Sequence, residues 1–162
     1  MGRSQQSDGR GRSAADDNLR GVRILCIDDD PDVVRAIETC LATIGAVVSC
    51  AYNGRQGHWL ALTEKPDLVI TDIAMPLGAG GDIVECLQRN SETQDIPVVV
   101  LSGRRDDRLK QRLLKGGVKR WLMKPMRHEE LLAAVRSLAT ATEPASPVEA
   151  RHDGRIHSRF AC

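Results

Sequence analysis

Five short, apolar, β-branched runs alternate with segments of helical periodicity, and this alternation restricts the chain more than any other feature. The runs are Arg23–Ile27, Val47–Cys50, Leu68–Thr71, Val98–Leu101 and a weaker one at Arg120–Met123. In Asp32–Ile44, residues Val33, Ile37, Leu41 and Ile44 share a helical face, and Gly45 follows as a terminator. Arg55–Leu62 makes a second helix after the Asn53-Gly54 turn. Ile83–Asn90 makes a third, with Ile83, Val84 and Leu87 inward. Asp106–Lys115 is opened by aspartates and closed by Gly116-Gly117, and His128–Ala139 carries Leu131, Leu132, Val135 and Leu138 at helical spacing. Near-continuous apolar strands alternating with helices imply a parallel sheet covered on both faces. Right-handed crossovers then make it a doubly wound five-stranded α/β fold with five helices. Its working crevice lies at the carboxyl ends of the strands.

The segments outside this pattern cannot build a core. Residues 1–20 are rich in Gly, Ser, Arg, Gln and Asp and are expected to be a disordered tail. Residues 141–162, with Pro144, Pro147 and Gly154, are expected to be a flexible tail whose His152 and His157 are solvated. This leaves residues 21–140 as one domain. At 2% aromatic residues, its core must be aliphatic, and base-stacking platforms are not expected. No apolar stretch reaches the roughly 18 residues of a membrane span, and the N-terminus lacks a signal-peptide core, so a cytoplasmic location is expected. The five cysteines show no C-x-x-C spacing. Cys26, Cys40, Cys50 and Cys86 sit among apolar neighbours and read as small buried hydrophobes. Nothing supports a role for Cys162.

The crevice carries the chemistry. Asp28, Asp29 and Asp30 follow the first strand, Asp72 the third, Ser102 the fourth and Lys124 the fifth. Clustered carboxylates repel one another unless a cation intervenes, and oxygen-only ligands with few protein donors suit Mg²⁺. A metal, an ammonium and a hydroxyl donor together can hold a phosphoryl group. Asp72 stands alone on the middle strand and is the choice for a carboxylate nucleophile, whereas Asp28 and Asp29 form a pair suited to metal. Asp30 or Asp32 reads as a helix N-cap. No P-loop motif occurs.

The segments ILCIDDDP, PDLVITDIAMP, PVVVLSG and WLMKP resemble the receiver domains of two-component response regulators, and the likeness covers Arg20 to Thr140. The resemblance implies a flavodoxin-like strand order 2-1-3-4-5. It also implies an Mg²⁺ site from Asp28, Asp29, Asp72 and the Ala74 carbonyl, with Asp72 as phosphoacceptor. Ser102 and Lys124 then match the groups that bind the phosphoryl oxygens, Lys124-Pro125 matches a commonly cis peptide, and Trp121 falls at the switch aromatic position. The sequence departs from the family at Trp121, where Tyr or Phe is usual. It also departs at LGAGGD, which predicts a late or frayed third helix because interior glycine costs roughly 1 kcal/mol.

What the resemblance implies is a phosphoacceptor that is no enzyme beyond its own phosphorylation and dephosphorylation. Its partner is a histidine kinase or histidine phosphotransfer protein. No output domain is expected after Thr140, so output goes through protein binding or a phosphorelay. Charge bears on the output surface. Residues 21–95 carry five basic and twelve acidic side chains, and residues 96–140 eleven and four. The basic run containing Arg105, Arg108 and Arg112 reads either as an output face for an acidic partner or as a solvated helix face; nucleic acid is not favoured and no membrane is expected. Two rival readings are a receiver-like module that takes no phosphate and a haloacid-dehalogenase-type phosphatase. The second wants an Asp-x-Asp nucleophile after the first strand and a cap that is missing.

Overall fold

The computed structural model describes residues 19–76 and 79–139. Five strands, β1 (Arg23–Ile27), β2 (Val47–Ala51), β3 (Leu68–Asp72), β4 (Val98–Ser102) and β5 (Arg120–Met123), form one parallel sheet in the order β2-β1-β3-β4-β5. Helices α1 (Pro31–Ala42), α2 (Gly54–Glu64), α3 (Ala79–Arg89), α4 (Asp107–Lys115) and α5 (His128–Ala139) connect and flank them. The doubly wound class and the strand order are those expected.

Alternation along each strand divides the core into two layers. Ile24, Cys26, Leu68, Ile70, Val99 and Leu101 pack with α1 and α5. Leu25, Ile27, Val69, Val98 and Val100 pack with α2, α3 and α4. β3 and β4 are buried along their entire lengths, which is why they read as unbroken apolar runs.

Helix starts follow local chemistry. Asp30 caps α1 by accepting from the Asp32 amide, Asn53 caps α2 through the Gln56 amide, and Asp106 caps α4 through the Leu109 amide. Of the two N-cap candidates, Asp30 is the one used.

Several expectations are corrected. Helix α3 starts at Ala79, four residues before the expected start. Gly80 and Gly81 fall in its first turn, where amides lack intrahelical acceptors and glycine's interior penalty does not apply in full. Val34, not Val33, is the fully buried valine of α1. Cys86 is exposed, because turning Ile83, Val84 and Leu87 inward points it to solvent, and Cys50 is only half-buried. Leu19, within the stretch expected to be a tail, is buried against the α1–α5 layer, and its amide donates to the Ile44 carbonyl. The expectations for His152, His157 and Cys162 lie outside the described residues.

Candidate functional site

Four strand ends converge as expected, with one refinement. Asp72 and Ser102 are the last residues of β3 and β4, paired in register with Leu101 and Met123, so the ladder itself aims them. Asp28 sits one residue past β1 and is held by its amide, which donates to the Ala51 carbonyl.

Asp28 and Asp72 are 1% and 4% exposed, while Asp29 is open to solvent. One carboxylate oxygen from each of the three lies within 4.8 Å of the others. The Lys124 ammonium donates to Asp28 Oδ2 at 2.6 Å and stands 3.6 Å from Asp72 Oδ1. The other Asp28 oxygen accepts from the Asp30 amide at 3.0 Å. Asp28 is therefore satisfied from both sides. Asp72 is not: its Oδ1 is buried without a hydrogen-bond partner among the described residues.

Burial pushes the Asp72 pKa up, and the charges of Asp28 and Asp29 push the same way. A hydrogen bond from the Ala74 amide and the Lys124 charge oppose them. A buried carboxylate with an orphaned oxygen, facing two more carboxylates and one ammonium, calls for a hard cation. The donor set fits Mg²⁺: all ligand atoms are oxygen, and the exposed Asp29 side leaves room for water.

Ser102 is buried, but its hydroxyl is engaged elsewhere. It donates to the Arg104 carbonyl at 2.8 Å and accepts from the Arg104 amide at 3.1 Å. Trp121 is half-buried and packs against the α2–α3–α4 layer. The Lys124-Pro125 peptide is cis. Arg105, Arg108 and Arg112 are all exposed, Arg105 in the β4–α4 loop and the other two on α4.

Backbone contributions to the site were invisible in the sequence. The Asp30, Ala74 and Arg104 amides each hold a functional side chain, and any residue but proline offers the same N–H group. The strong Lys124–Asp28 contact also had no sequence signal, because it is made across 96 residues.

A family model described as the response regulator receiver domain matches residues 24–136. Response regulator MprA of Mycolicibacterium vanbaalenii is 37% identical over 125 residues, covering 76% of this chain and 52% of MprA. Sensor histidine kinase TmoS of Ectopseudomonas mendocina is 36% identical over 116 residues, covering 72% of this chain and 12% of the kinase. The chain thus spans about half the length of MprA and about a tenth of TmoS. Among solved structures, chemotaxis protein CheY4 of Vibrio cholerae aligns with a TM-score of 0.68 at 26% identity, covering 72% of this chain and 98% of CheY4. The receiver domain of Francisella response regulator 1452 aligns with a TM-score of 0.68 at 27% identity, covering 75% and 98%. Among the described residues no helix is long and apolar enough to cross a membrane. With the fold, the convergent strand ends and the family match in agreement, this chain belongs to the response regulator receiver domains of two-component signalling.

Proposed function

We propose that the chain is a response regulator receiver whose Asp72 accepts a phosphoryl group from a histidine kinase or histidine phosphotransfer protein. One observation carries this reading: a buried Asp72 whose unpartnered oxygen faces Asp28, Asp29 and Lys124. An Asp72 oxygen attacks phosphorus, the phosphorus–nitrogen bond of the donor phosphohistidine breaks, and the imidazole leaves with the electron pair. The product is an acyl phosphate on Asp72. Asp28, Asp29, Asp72 and the Ala74 carbonyl would hold Mg²⁺, which when bound neutralises charge on the transferring group. Lys124 is already between Asp28 and Asp72 and would meet a phosphoryl oxygen with little movement.

Ser102 provides the switch. To donate to a phosphoryl oxygen, its hydroxyl must leave the Arg104 carbonyl, and this frees the loop that leads into α4. Trp121, packed against the same core layer as Leu109 of α4, is placed to respond. Output then goes by protein contact or onward phosphoryl transfer, through the surface that carries Arg105, Arg108 and Arg112. An apolar groove of ≈330 Å³ between α1 and the loop before α5 opens beside Lys124, lined by Val33, Ile37, Pro125 and Met126. It suits the phosphodonor, which must bring its histidine to this end of the sheet. The free thiols of the described residues fit a reducing, cytoplasmic setting.

Incubation with Mg²⁺ and acetyl phosphate, followed by intact-mass measurement, tests the reading. The wild type gains one phosphoryl mass and Asp72→Ala gains none. No adduct on the wild type would favour a module that takes no phosphate, and rapid turnover of phosphate esters would favour a hydrolase.

A further inference from the structure

Away from the phosphoacceptor crevice, α3 and α4 enclose a cavity of ≈340 Å³ lined by Glu85, Gln88, Arg89, Arg112, Leu113 and Gly116. Glu85 meets two guanidinium groups, Arg89 at 3.3 Å through Oε2 and Arg112 at 3.4 Å through Oε1. A single carboxylate between two arginines leaves one positive charge uncompensated and most guanidinium N–H groups unused.

The Gln88 amide lines the same cavity, packed on Gly116 and Gly117. A Cβ at Gly116 would meet its Oε1 at 2.9 Å, and one at Gly117 would meet its Nε2 at 3.2 Å. The two glycines therefore make room for the amide. Its Nε2 is buried and has no acceptor among the described residues. A buried donor without a partner is destabilising in the free chain, and an oxygen anion placed in the cavity would satisfy it.

We propose that this groove binds a carboxylate of an acidic segment on a partner protein, with Arg89 and Arg112 supplying charge and Gln88 the directional hydrogen bond. This rests on the reading that output proceeds by protein contact. Charge complementarity favours such a partner. Arg108 lies one turn before Arg112 and Lys115 follows it, so α4 presents a run of exposed cations beside the groove, of which Arg112 pairs with Glu85. An acidic peptide matches both the extended charge and the single directional donor. A free phosphate matches only the donor; an oligonucleotide matches both, but the chain, at 2% aromatic residues, offers little for its bases to stack on.

The test titrates an acetylated, amidated tetraglutamate peptide into the ¹⁵N-labelled full chain. The expected result is a saturable shift of the Gln88 side-chain NH₂ and of the Arg112 and Gly116 amides. Gln88→Met should weaken binding about tenfold, the loss expected for one charge-assisted hydrogen bond. Arg112→Glu, on an exposed position, should abolish it. Equal binding by Gln88→Met and wild type would overturn the groove in favour of diffuse attraction to α4. Saturation by inorganic phosphate at the same concentration, or tighter binding of an oligothymidylate, would overturn the acidic-protein assignment. Asp72 phosphorylation is scored by mass on the same samples. Peptide binding without phosphorylation counts against the phosphoacceptor reading alone, and phosphorylation without peptide binding counts against the groove alone.

Discussion

Asp28 and Asp72 are close neighbours of the same residue type, yet their environments differ. Asp28 receives the Lys124 ammonium and the Asp30 amide, so its charge is matched where it stands. Asp72 keeps a buried, unpartnered oxygen, and its raised pKa records the cost of charging it there. The sign follows from that direction. Folded-state affinity for a proton exceeds that of the unfolded chain, so this group's stability is full below the unfolded pKa and lost as pH rises through the folded one. Asp72→Asn, neutral at every pH, should therefore melt several degrees above wild type at neutral pH in a chelator, on the basis of about 1–3 kcal/mol for an unsatisfied buried group. The gain should shrink as pH falls through the Asp72 pKa. A constant or reversed difference in melting temperature would show that burial of the charge is not what Asp72 costs the fold. Residue identities at this site were legible in the sequence; which carboxylate is satisfied was not, because the Asp30 and Ala74 amides and a lysine 96 residues from Asp28 decide it.

Strands and helices were legible wherever apolar periodicity continues to the end of the element. β1, β5 and α5 have the bounds that periodicity predicts. β2, β3 and β4 each extend one residue further, because hydrogen bonding continues after the apolar pattern stops. At β3 and β4 that extra residue is the polar group that matters. Helix α2 shows the opposite case, a close contact that periodicity does not reveal. Its Gly57 faces β1, and a Cβ there would stand 2.4 Å from Ile27 Cδ1 and 2.9 Å from Cγ1. Gly57→Ala improves helix propensity but overpacks the α2–α3–α4 layer. We expect a net loss of about 1–3 kcal/mol, read as a lower urea midpoint with unchanged slope. A midpoint at or above wild type would show that Ile27 can move aside without cost.

For the whole molecule, the charge division now has a spatial meaning. The acidic half brings Asp28, Asp29 and Asp72 to one crevice, and the basic half supplies Lys124 to it and Arg112 to the groove beside α4. The domain also begins earlier than the composition of the first twenty residues suggests. Leu19 is buried and clamped to the chain after α1. A fragment starting at Leu19 should therefore melt higher than one starting at Gly21, by about 2–4 kcal/mol of stability for a buried leucine. Equal melting temperatures would make Leu19 an ornament of the core. By itself the sequence determined the alternating architecture, the sheet's two covered faces and the identity of the crevice residues, since these depend on local periodicity and on where strands stop. Tertiary structure alone decided which oxygen of Asp72 is left unpartnered, where the Ser102 hydroxyl is bound, and that the Gln88 Nε2 is buried without an acceptor among the described residues. Each of these depends on groups distant in sequence or on backbone atoms common to nearly all residues, and neither leaves a pattern along the chain.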